Sequence, residues 1–227
     1  MVCSPYIIAI SGGSGSGKST VTEALIDVLP EGFAALFHED GYYWPRSHYP
    51  DGSDVMDVDY DDPASKDLSA LVADLAELKA GRCIQQPIYD YTVHDRFKDR
   101  TLRVEPRAII LFEGIHALSI SGADPLIDLK VYVDTPDDLR LARRLRRDVL
   151  ERERPIKSVL DQYLSAVRPA HYRYTYPAKF AADLVIADEG LPAYGTIRPS
   201  QSATKRMLAP ILDRLQQDGL IKEATHL

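Results

Sequence analysis

Nine consecutive residues, Gly12-Gly13-Ser14-Gly15-Ser16-Gly17-Lys18-Ser19-Thr20, fit the spacing G-x-x-x-x-G-K-[ST]. Glycines let backbone N–H groups turn inward without Cβ clashes and close on polyphosphate oxygens. Lys18 adds a point charge beside the phosphate to be transferred, and the Ser19 hydroxyl suits Mg²⁺ ligation. A helix that begins here points its positive dipole end at the anion. A flexible Gly/Ser linker would need no lysine, so all nine residues are expected to cradle a nucleotide.

The flanking segments agree with this chemistry. The apolar run Tyr6-Ile7-Ile8-Ala9-Ile10 precedes the loop, and Val21, Ala24, Leu25 and Val28 recur on one side of the segment after it, giving strand, loop, helix. Gly32 to Phe37 reads as a second strand that runs into His38-Glu39-Asp40-Gly41-Tyr42-Tyr43-Trp44. Ligands gather at the carboxyl ends of strands in open parallel sheets, so Asp40 stands where a catalytic carboxylate is wanted. Ala108-Ile109-Ile110-Leu111-Phe112 is apolar without alternation, as a strand buried on both faces must be, and it ends at Glu113. An acid in that place, beside a phosphate loop, is positioned for Mg²⁺. Leu129 to Val133 and Ala182 to Ala187 complete the expected strands.

Residues 45 to 65 carry Pro45, Pro50, Gly52 and Pro63 and read as surface loop, followed by a helix over about 65–80 with a leucine stripe. Short extended pieces over about 85–105 predict a β-hairpin flap outside the main sheet. A long helix then carries seven arginines between positions 140 and 154 against three acids. Arg140, Arg143, Arg144 and Arg147 share one face, with Leu141, Leu145 and Val149 opposite. Beside a phosphate loop this stripe reads as an arginine lid, over about 140–168, because the guanidinium fork binds phosphate bidentately and keeps its charge. Its second helix is expected from Ile156 to Val167, stopping before Pro169, and a closing helix over about 200–217.

With 227 residues, no repeat and no linker, the chain reads as one α/β domain, 1–227: a phosphate-loop parallel sheet flanked by helices, with flap and lid. A net charge of −7 supplies no basic field for nucleic acid, and no long apolar stretch suggests a membrane span. Cys3 and Cys83, without a C-x-x-C pair, argue for free thiols in a reducing compartment. The expectation is a cytoplasmic protein whose partners are small molecules.

Several segments together resemble one family. Gly12 to Thr20, Glu39-Asp40-Gly41-Tyr42-Tyr43, Tyr60-Asp61-Asp62-Pro63, Pro87 to Arg96, Phe112-Glu113-Gly114-Ile115 and Arg140 to Gln162 fall in the order of the uridine and uridine-cytidine kinases, within the wider phosphoribulokinase and uridine kinase group. The resemblance runs from about Tyr6 to Ala187. It implies that Asp40 takes the proton of a ribose 5′-hydroxyl as that oxygen attacks the γ-phosphate of ATP, with Lys18 and Arg147 also catalytic. It implies Mg²⁺ on Ser19 and Glu113, with Asp40 beside them, and Arg147 and Arg152 over the phosphates. Asp61 would hold the sugar, Tyr89 and His94 the base, and Arg144, Arg154, Gln162 and Tyr43 the rest of the nucleoside pocket.

A homo-oligomer is also expected. Arg152-Glu153-Arg154-Pro155 stands where the family usually carries Arg-Gly-Arg-Asp, Asp62 where a histidine is common, and Asp188 to Pro192 where a Pro-Arg-Gly segment is expected. His116 is closer to phosphoribulokinase, which leaves open a sugar-phosphate acceptor served by His116, Arg46 or Arg173. A nucleotide-dependent switch is the remote alternative, without an N-K-x-D motif and with an acceptor flap it would not use.

Overall fold

The computed structural model describes residues 4–52, 58–188 and 201–222. Its strands are β1 (Tyr6–Ser11), β2 (Ala34–His38), β3 (Ile84–Asp90), β4 (Asp95–Val104), β5 (Ile109–Glu113), β6 (Leu129–Asp134) and β7 (Leu184–Ala187). Its helices are α1 (Lys18–Val28), α2 (Leu68–Lys79), α3 (Asp137–Leu150), α4 (Ile156–Gln162), α5 (Arg168–Ala170) and α6 (Gln201–Gln217). Five strands make a parallel sheet in the order β2-β5-β1-β6-β7, while β3 and β4 pair antiparallel outside it.

Alternate residues of β1 serve two cores. Ile8 and Ile10 face Val21 and Leu25 of α1 and Met207, Ile211 and Leu215 of α6. Ile7 and Ala9 face Leu71, Leu75 and Leu78 of α2, with Phe37, Phe112 and the hairpin residues Ile84 and Val104. Each of the larger side chains, Ile, Leu, Val, Met or Phe, contributes about 1.5–3 kcal/mol when fully buried. That is why β1 and β5 show no polar alternation.

The register fixes where the chain leaves the sheet. Glu113 at the end of β5 is level with Ile10 on one side and His38 on the other. The turns after β1, β2 and β5 therefore open at one edge.

Boundaries differ from expectation for local reasons. The helix expected from residue 65 begins at Leu68, because Asp67 caps it by accepting from Ala70 N–H at 3.1 Å. Ser65 belongs instead to a 3₁₀ turn, Pro63–Ser65, capped by Asp62. The second strand is Ala34–His38 rather than residues 32–37, since Gly32 adopts φ +70° and turns the chain ahead of it. The second lid helix does not stop before Pro169. Helical turns continue through a π segment Tyr163–Val167, α5, a second π segment His171–Thr175 and a 3₁₀ segment to Ala181. Pro169 lies between the two π segments, whose wider turns accommodate its ring and its missing N–H. Cys3 and residues 189–200 lie outside the described residues, whereas Cys83 is a free, exposed thiol.

Phe112 is fully buried, 5.4 Å from the Phe37 ring, at the centre of the sheet. Phe112→Ala is expected to lower unfolding free energy by about 3–5 kcal/mol, read from the urea midpoint at unchanged slope.

Candidate active site

The phosphate loop is shaped by what packs behind it. Gly15 holds φ +79°, and a Cβ there would lie 2.5 Å from the Arg140 carbonyl, so α3 backs directly onto the loop. Gly17, also left-handed, caps α1. Ser14, Gly15, Gly17, Lys18, Ser19 and Thr20 line a cavity of about 330 Å³, whereas Gly12, Gly13 and Ser16 are buried behind it. Lys18 is buried and donates to the Gly13 carbonyl at 3.4 Å. Burial lowers its pKa, against the pull of Glu113 and Asp40.

The Ser19 hydroxyl donates to Glu113 Oε1 at 2.7 Å, which joins the loop to the end of β5. Two hard oxygen donors at the mouth of a phosphate cradle fit Mg²⁺, which binds through one or two protein groups plus phosphate and water. Among the described residues there is no cluster of three or more acidic, His or Cys side chains that would bind a metal unaided.

Asp40 sits in a 3₁₀ turn, Glu39–Tyr42, directly after β2. The hairpin presses on that turn, since a Cβ on Gly41 would collide with the Pro87 carbonyl. Arg96 of β4 clamps it, donating to the Tyr43 and Tyr42 carbonyls at 2.6 and 2.7 Å. Half of the Asp40 side-chain surface stays open to the cavity. Its Oδ2 accepts from the Tyr91 hydroxyl at 2.6 Å, and Lys66 Nζ lies 3.7 Å from Oδ1. Its surroundings push the pKa up, but Lys66, the Tyr91 hydroxyl and Lys18 outweigh this and hold it below the usual carboxylate value. Asp40 is anionic at neutral pH and open to accept a proton.

The arginine stripe of α3 faces inward. Arg140 and Arg144 are buried, while Leu141, Leu145 and Val149 are only half-buried on the other side. Arg140 itself lies under the loop against Gly13 and does not line the cavity. Arg143, Arg144, Arg147, Arg152, Arg154 and Gln162 do. One fully buried carboxylate organises four of these guanidiniums. Asp148 stands 2.9 Å from Arg147, 3.4 Å from Arg152 and 3.6 Å from both Arg144 and Arg154. Arg144 also donates to Ser14 Oγ and, together with Arg154, to the side-chain Oε1 of Gln162. Glu153 reaches this arrangement with φ +53°, a strained angle for any residue but glycine.

Aromatic rings form the opposite wall. Tyr43 packs on Tyr60, Tyr89 and Tyr91 with centroids 5.1 to 6.4 Å apart, and Tyr60 lies 5.2 Å from His94. The Tyr60 and Tyr89 hydroxyls face each other, and His94 Nδ1 is buried without a protein hydrogen-bond partner. A buried polar atom of that kind awaits a polar ligand or water. Burial, then Arg154 and Arg152, lower the His94 pKa, so the ring is neutral. Asp61 also lines the cavity, and burial raises its pKa against the pull of Arg144 and Lys66.

The glycine-rich loop with Lys18, the carboxylates Asp40 and Glu113 and the aromatic wall share one cavity. The model of the Phosphoribulokinase / Uridine kinase family matches residues 7–191. This chain belongs to that family. It is 42% identical over 186 residues to the uridine kinase of Clostridium perfringens, covering 82% of this chain and 88% of that protein. It is 40% identical over 188 residues to the uridine kinase of Streptococcus pyogenes, covering 83% and 89%. Among solved structures, a D-glycerate 3-kinase from Cryptococcus neoformans superposes with TM-score 0.59 at 16% identity, covering 82% of this chain and 86% of that one. The "Possible Uridine Kinase" from Bacillus stearothermophilus does so with TM-score 0.52 at 23% identity, covering 82% and 90%. At these identities the two structures speak for the shared fold.

Arg143 lines the cavity with Arg144 and Arg147 of the arginine stripe, while Tyr91, Asp148 and Lys66 carry no role in the sequence patterns. Tyr91 lies inside the flap segment and was within reach. Asp148 had a signal in its i,i+4 spacing from Arg144. Lys66 had none. Asp148→Asn leaves four guanidiniums facing one another and is expected to cost on the order of 3 kcal/mol in the free protein. Melting with and without ATP checks this: the polyphosphate replaces the missing negative charge, so the variant should gain more from ATP than the wild type does.

Proposed function

We propose that this chain transfers the γ-phosphate of ATP to the 5′-hydroxyl of uridine, and also of cytidine. The observation that carries this reading is the convergence of Lys18, Asp40 and Glu113 on one cavity whose far wall is aromatic. The acceptor is supported by relatives at about 40% identity, named as uridine kinases, that match most of this chain.

In this reading Lys18 and the loop amides hold the donor phosphates. Arg147 and Arg152 close on them, and Arg143 completes that side. Ser19 and Glu113, with Asp40, would hold Mg²⁺, which when bound would supply charge neutralisation on the phosphates. Asp61 binds the sugar hydroxyls, Tyr89 and His94 the base edge, and Tyr43, Arg144, Arg154 and Gln162 frame the pocket. Asp40 orients the 5′-hydroxyl and takes its proton. A loose transition state needs positioning and charge neutralisation more than covalent help, so these groups suffice. The hairpin and the arginine helices are the parts that close over the site and exclude water. Cytoplasmic location and homo-oligomeric assembly complete the reading.

A sugar-phosphate acceptor would need a further cation at the cavity. His116 is 1% exposed with its pKa lowered by burial to about 4, and neither it, Arg46 nor Arg173 lines the cavity. This favours the nucleoside.

The test is ATP-dependent turnover with uridine, cytidine, adenosine and ribulose 5-phosphate supplied separately. Turnover of the pyrimidine nucleosides is expected, and turnover of the sugar phosphate alone would refute the acceptor. Asp40→Asn should lower kcat by about 10²- to 10⁴-fold with little change in uridine affinity. Because Asp40 is held below the usual carboxylate value, it stays deprotonated well into acid. The kcat profile should therefore stay level from about pH 8 down to about pH 5.

A further inference from the structure

The turn that carries Asp40 is held by groups that no motif singles out. Glu39, its neighbour, is fully buried. Its Oε1 pairs with Lys66 Nζ, and its Oε2 accepts the His116 N–H at 2.7 Å. Gly114 leaves it room, since a Cβ there would overlap the Glu39 side chain. One carboxylate thus ties the turn after β2 to the loop after β5 and to the segment that holds Asp61.

Lys66 is delivered to this place by its backbone. Trp44 N–H donates to the Ser65 carbonyl at 3.0 Å and Asp67 N–H to the Tyr42 carbonyl at 2.8 Å, so the residues flanking Lys66 are pinned to those flanking Tyr43. Its side chain is wholly buried, with Nζ 4.4 Å from the Tyr43 ring centroid and 3.7 Å from Asp40 Oδ1. A buried ion pair is seldom more stable than an apolar pair of the same volume. What this pair adds is a fixed cation beside Asp40.

We propose that Lys66 is a positioning residue for phosphoryl transfer, acting through Asp40. It fixes the carboxylate from the Oδ1 side while the Tyr91 hydroxyl fixes Oδ2, so the acceptor hydroxyl meets a single orientation. Lys66 does not line the cavity, so it acts on the reaction only through Asp40. The proposal rests on the reading of Asp40 as the group that orients the acceptor. In a loose transition state the orientation of the nucleophile counts for more than the strength of the base.

The experiment is a cycle of variants assayed with ATP and uridine, after circular dichroism and melting have established that each is folded. Glu39→Gln alone strands the buried Lys66 charge and should lower the melting temperature more than the double variant does. Glu39→Gln with Lys66→Met removes both charges without stranding either, and kcat should fall by about 10- to 100-fold with both KM values little changed. In an Asp40→Asn background the same two substitutions should change kcat by less than about twofold, because the group Lys66 acts on is gone. An unchanged kcat in the folded Glu39→Gln/Lys66→Met protein, or an equal loss in the Asp40→Asn background, would overturn the proposal. If the methionine variant does not fold, Glu39→Gln/Lys66→Gln, which keeps a hydrogen-bonded pair, is read by the same criteria. A wild type silent on uridine but active on another hydroxyl acceptor fails the substrate reading alone, and the cycle is then read on that acceptor.

Discussion

The site depends on three parallel strands ending level. With β5 paired in register to β1 on one side and β2 on the other, Ile10, Glu113 and His38 lie in one row across the sheet. Whatever follows each strand must then emerge at the same edge. The phosphate loop follows β1, the Asp40 turn follows β2 and Glu113 closes β5. A slip of one residue in β5 would turn Glu113 to the other face and break its contact with Ser19. The two apolar cores that fix this register sit on opposite faces of the sheet, so side chains far from the cavity hold its chemistry in place.

The second constraint is electrostatic. The chain as a whole carries −7, yet its cavity is faced by Lys18 and five arginines. Like charges at this density are held together by buried acids. Asp148 serves four guanidiniums, Asp188 pairs with Arg143 at 2.6 Å, and Glu39 holds Lys66. Without a ligand these carboxylates balance part of the field. In the proposed reading, polyphosphate supplies the rest.

The sequence was most legible where one physical cause acts alone. Strands β1 and β5 are buried on both faces and read as unbroken apolar runs. The loop Gly12–Thr20 declares itself because backbone geometry admits few residue types there. The hairpin was visible from its extended pattern and from Gln85 to Glu105 as a unit. The parts that escaped depend on tertiary context. Pro169 reads as a helix stop, yet π turns on either side absorb it. Lys66 reads as one more polar loop residue, and only the backbone pairing with Tyr43 buries it. Arg140 matched the lid spacing but lies beneath the loop, because one helical stripe of this length cannot keep every arginine on the same side of it. The departure at Glu153 is bridged by backbone strain where the family usually carries glycine.

The most direct measurement is a crystal structure with a non-hydrolysable ATP analogue, Mg²⁺ and uridine bound together. The expected result is a uridine 5′-oxygen within hydrogen-bond reach of Asp40, in line with the γ-phosphate held by Lys18 and the loop amides, with the base against Tyr89 and His94. A nucleoside bound away from Asp40, or triphosphate seated elsewhere than Gly12–Thr20, would contradict it.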